Sequence, residues 1–155
     1  FYESDVDNFN IGQALRTLRD LEPGLHTVTV IAWDTYNNSS TADLQFVVAG
    51  DEELKLERVL NYPNPFVNYT EFWFNHNRPY EPLEVQVQIF TISGKVVKTI
   101  NQVVTTTGFL SREITWDGLD DFGQKIGKGV YVYKITVKST LTNKKVEKFE
   151  KLVIL

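Results

Sequence analysis

Three aspartates, Asp117, Asp120 and Asp121, fall close together with Gly118 and Gly123 in one turn-like stretch. Clustered carboxylates are what a hard cation such as calcium takes as ligands, which makes this stretch a metal candidate. The spacing is not that of an EF-hand and no Glu closes it, so the expectation is a structural turn. Asp34, Asn37 and Asn38 form a second oxygen-rich turn of the same kind. His26 and His76 could serve acid–base chemistry, but they lie in separate segments and nothing singles out a serine to act with them. The chain has no Cys. Disulfides, thiolate metal sites and a cysteine nucleophile are therefore excluded. The expectation is a chain with no cofactor and no catalytic activity of its own.

Two further sets of side chains suit binding better than catalysis. Trp33, Trp73 and Trp116 could stack on sugars. Trp73 alternates with Phe72 and Phe74, which places it on the opposite face of a strand and, in a sandwich, outward. Trp116 ends a strand before a glycine turn and reads as core. Lys138, Lys144, Lys145, Lys148 and Lys151 gather near the last hairpin, as a solvated face or as an electrostatic recognition surface.

The elements that position these residues read as strands. Residues 25–33 alternate with a period near two, residues 34–40 are turn chemistry, and residues 41–48 alternate again, giving a hairpin. Residues 11–21 admit either a helical stripe through Ile11, Ala14, Leu15, Leu18 and Leu21, or a short strand and a loop. No capping residue opens a helix there, and the neighbours are strands. Further strands are expected from Leu54 to Leu60, Tyr69 to Asn75, through Val85, Val87 and Ile89, and over 96–100, 111–116, 130–137 and 145–155. Strands at this spacing, with turns between, predict an all-β, Ig-like sandwich of about seven strands, preceded by a partial β-domain. The expected division is 1–49, the end of a preceding domain; 50–56, a charged linker; and 57–155, the sandwich.

With 155 residues and a formal charge of −4, the chain is a poor match for nucleic acid or anionic lipid. No apolar stretch is long enough to span a bilayer. The start has no initiator Met and no signal peptide, which suggests a piece of a longer protein.

Several motifs carry a family resemblance. They are Tyr62-Pro63-Asn64-Pro65-Phe66, then Val87 to Val97 with Ser93-Gly94-Lys95, then Trp116-Asp117-Gly118 and Asp121-Phe122-Gly123-Gln124. After these come Gly127-Lys128-Gly129-Val130-Tyr131-Val132-Tyr133 and Lys151-Leu152-Val153-Ile154-Leu155. This region resembles the C-terminal sorting domain of the type IX secretion system, itself similar to the Ig-like domain of flagellar hook-capping proteins. Residues 21–40 resemble the end of the domain that precedes it in gingipain-like secretion sortases, which are surface cysteine peptidases. The resemblance implies a domain that carries its protein through an outer-membrane translocon of a Gram-negative bacterium and docks on an outer-membrane β-barrel shuttle. Lipopolysaccharide is a second implied partner. Because the family's signal is read from its last strands, Lys144, Lys145, Lys148, Lys151, Leu152, Val153, Ile154 and Leu155 are the implied partner-binding residues. A carbohydrate-binding or adhesive surface module with the same tail is the alternative.

Overall fold

A computed structural model describes residues 2–4 and 12–155. Every regular element among them is a strand: β1 (Tyr2–Ser4), β2 (Gly12–Ala14), β3 (Gly24–Trp33), β4 (Ser39–Val48), β5 (Leu56–Tyr62), β6 (Thr70–His76), β7 (Leu83–Phe90), β8 (Val96–Val104), β9 (Leu110–Trp116), β10 (Gly129–Ser139) and β11 (Lys145–Ile154).

The last seven strands form two antiparallel sheets, β5-β6-β9 and β11-β10-β7-β8. Their period-two apolar pattern explains the pairing, since alternate residues of each strand turn to one shared interior. Phe72, Phe74 and Ile114 enter from the smaller sheet; Val85, Val87, Ile89, Tyr133, Ile135 and Val137 enter from the larger. The Phe72 and Tyr133 rings meet edge to face at 4.9 Å. A β-bulge between Glu57 and Leu60, with Arg58 in left-handed conformation, bends β5 around this core. The β7–β8 hairpin closes through Ser93-Gly94-Lys95; Gly94 has φ of 90°, which a side chain would resist. The expected all-β, Ig-like sandwich of about seven strands is borne out.

Ahead of it, β3 and β4 pair as a separate two-stranded sheet, with Val28 opposite Leu44 and Val30 opposite Ala42. Asp34 shapes the turn: its Oδ1 accepts from the Tyr36 and Asn38 backbone amides, both at 2.9 Å. Most hairpin side chains remain open to solvent, Leu44 at 65% and Trp33 at 63%. The helical alternative for 11–21 does not hold. Residues 12–14 form β2, and 15–23 carry no helix or strand, because no surface covers Leu15, Leu18 and Leu21. Ile11, part of that stripe, lies outside the described residues.

Candidate interaction surface

The proline joint acts as a surrogate strand. Asn64 brackets the backbone of β11, donating to the Lys151 carbonyl at 3.1 Å and accepting from the Val153 amide at 3.0 Å. The Phe66 amide donates to the Val153 carbonyl at 3.0 Å, and the Leu155 amide to the Phe66 carbonyl at 2.9 Å. Both X–Pro bonds of the joint are cis. The Phe66 side chain enters the core against Trp116, ring to ring at 5.5 Å. The outer edge of β11 is thus occupied at 151–155, whereas over 145–150 its described ladder partner is β10 alone.

The eight implied partner-binding residues separate into three groups. Leu152 and Ile154 are core. Lys144 is half-buried, and its Nζ donates to the Asp51 carbonyl and, at 3.1 Å, to the Glu52 carbonyl. Lys145, Lys148, Lys151 and Leu155 are exposed and Val153 is half-buried. Register gives their directions. Lys148 pairs with Ile135 and so shares the core-facing side, while Lys145, Phe149, Lys151 and Val153 share the outer face. Phe149 is 59% exposed and lies under the Lys134 ammonium, 5.9 Å from its ring centre. It was not singled out from the sequence, although the period of two from Lys145 onward contains it.

Lys144 belongs to a second cluster that straps residues 51–55 to the sandwich. Asn77 donates to the Glu53 carbonyl at 2.8 Å and accepts from the Lys55 amide at 2.9 Å. Arg78 donates to the Glu52 carbonyl and faces Glu81, which accepts from Ser139. Leu54 and Leu56 are core residues. No periodic signal marks Asn77, Arg78 or Glu81, and their role follows from the loop between β6 and β7.

His76 stands at the same end, buried. Its Nδ1 accepts from the Arg78 amide at 3.1 Å, and Thr106 Oγ1, which donates to the Gly108 carbonyl, lies 2.8 Å from Nε2. These partners suit the neutral Nε2–H tautomer, and burial pulls the pKa down to about 4. His26 stacks on Phe46 at 5.7 Å and donates to the Glu22 carbonyl, so neither histidine faces a carboxylate as acid–base partner.

The aspartates of the long turn each hold local structure. Asp117 accepts from the Leu119 amide at 3.0 Å, and Asp120 from the Phe122 and Gln124 amides at 2.9 and 2.8 Å. Asp121 accepts from the Thr99 amide at 3.2 Å and faces Lys98 at 3.5 Å. Among the described residues no three carboxylates or histidines converge. Trp73 lies on the outer face of the smaller sheet, half-buried beside Tyr62 and Arg112.

Residues 76–142 match the family model of the FlgD Ig-like domain, which runs from the end of β6 through β10. Among solved structures, the chain is similar along 99% of its length to the crystal structure of dimeric latent PorU from Porphyromonas gingivalis. The identity is 28%, the TM-score is 0.57, and the match spans 14% of that chain. The resemblance to gingipain-like secretion sortases with a hook-capping-type Ig-like domain is borne out. No curated protein matches the chain.

Proposed function

We propose that this chain is a non-catalytic secretion and docking address of a cell-surface protein in a Gram-negative bacterium. In this reading residues 57–155 direct passage through an outer-membrane translocon and dock on an outer-membrane β-barrel shuttle. Residues 1–49 end a preceding β-domain, 50–56 join the two, and any catalytic Cys and His lie elsewhere in a longer protein. The observation that carries the reading is the likeness to latent PorU along nearly the whole chain. The last strand supports the reading with a basic, partly apolar surface. Lys145, Phe149, Lys151 and Val153 line its outer face and Lys148 its other side, around a backbone edge over 145–150 whose partner among the described residues is β10 alone. An open edge invites strand addition, and the lysines suit an acidic partner, a translocon loop or lipopolysaccharide.

Deleting residues 144–155 would be a poor test, because it removes Leu152 and Ile154 from the core. A reporter with a signal peptide, fused ahead of the 155 residues, is the better assay. Lys145→Glu, Lys148→Glu and Lys151→Glu together should abolish surface display while leaving the melting temperature and circular dichroism near those of the parent. Undiminished display of this folded variant would sink the assignment of the surface.

A further inference from the structure

We infer that the outer face of the three-stranded sheet is a binding site for a neutral glycan. The site is built from Leu60, Tyr62, Tyr69, Glu71, Trp73 and Arg112. Strand register sets Tyr62 opposite Glu71 and Leu60 opposite Trp73, on the face away from Phe72 and Phe74. The Tyr62 and Trp73 ring centres are 5.4 Å apart, inclined at 47°. Tyr62 is 61% exposed, and Tyr69 and Leu60 beside it are also open.

What distinguishes this patch from scattered surface aromatics is that its rings are held. One Glu71 oxygen accepts from the Tyr69 hydroxyl at 2.8 Å, the other from the Trp73 indole N–H at 2.9 Å. The Arg112 guanidinium lies 5.2 Å from the Trp73 ring centre. One carboxylate thus fixes two aromatic side chains, and the indole hydrogen bond first, then the phenol and Arg112, holds that carboxylate below its usual pKa. Tyr62 is not bonded to Glu71 but rests against the fixed Trp73 ring, and a ring ordered by its support before a ligand arrives loses less freedom on binding it.

The chemistry of the patch defines its ligand. Flat apolar rings receive the C–H face of a pyranose, as they receive other rings. Glu71 retains acceptor capacity and Arg112 retains donors, which meet hydroxyl groups of either polarity. Their charges oppose, so the site offers no net attraction to an anion. A nucleic-acid strand would bring its phosphates to a carboxylate on a chain of net charge −4. Trp73, flanked by Tyr62 and Arg112, backs the site, while Tyr62 forms its open platform.

Isothermal titration of the 155-residue chain with cellohexaose, xylohexaose, maltohexaose and mannohexaose tests the inference. At least one should bind, and Tyr62→Ala should weaken it about tenfold, the scale of one stacked ring. Tyr62→Phe, which keeps the ring, should retain affinity, as should Phe122→Ala, which removes an exposed ring that is not part of the site. Melting temperatures of Tyr62→Ala and Tyr62→Phe, measured alongside, separate a loss of binding from a loss of fold. No binding of any of the four at about 1 mM, where a productive site would register, overturns the proposal. So does unchanged affinity in Tyr62→Ala, or binding of polygalacturonate alone. A dimer by sedimentation velocity that Tyr62→Ala dissolves, with no sugar bound, would instead assign the face to a second copy.

Discussion

Lowering the pH from 7.5 to 5 should weaken this fold through His76. The unfolded chain takes up a proton on that imidazole near 6.5, and the folded chain only at about 4. Between those values the unfolded state binds more protons, so stability falls as pH falls. Integrating between the two pKa values gives a loss of about 2 kcal/mol by pH 5, and a limit of about 3 kcal/mol below the folded pKa. The physical origin is burial, which penalises the charged imidazolium; a proton on Nδ1 would also face the Arg78 amide that this atom now accepts from. Urea unfolding followed by circular dichroism at pH 7.5, 6 and 5 measures the slope, with His76→Gln as the non-titrating control. The control should stay nearly flat over the interval, whatever its absolute stability. Equal losses in both proteins, or an NMR titration of the His76 ring centred near 6.5, would refute the argument.

Two further perturbations address the joint and the strap. Asn64→Ala removes both bonds that bracket β11, leaving the Val153 amide without its partner. It should cost about 1–3 kcal/mol in urea unfolding and speed hydrogen exchange at Val153 selectively. Lys144→Ala releases the Asp51 and Glu52 carbonyls. Cleavage by a Glu-specific protease at Glu52 and Glu53 should then accelerate severalfold, while global stability changes little; an unchanged cleavage rate would show that Arg78 and Asn77 suffice.

The sandwich was legible in the sequence because its strands are amphipathic on a period of two, and turn residues mark nearly every break. The positions of Phe72, Phe74, Val85, Val87 and Ile89 follow from alternation alone. Alternation also placed Trp73 on the outer face, but it carries no information about the Glu71 bonds that hold the ring. The lysines group into one cluster in sequence because charge is visible there and register is not. Pairing separates Lys148 from Lys145 and Lys151, and Lys144 turns back to the strap. Asn64 is the clearest case of a role beyond local reading. Its partners lie 87 and 89 positions away, and no local pattern encodes such a contact.

That separation also bears on when the domain can form. The bracket around Asn64, the Phe66–Leu155 bond and the Leu152 and Ile154 core positions all need the last strand. A polypeptide emerging from the ribosome can lay down β5 through β10 and still lack its seal. Contacts of this reach form late and slowly. Until residues 151–155 arrive, the large sheet lacks its outermost strand and part of its apolar lining stays wet. Completion therefore waits on β11, and until that strand docks the sandwich keeps an open edge and a wetted apolar face.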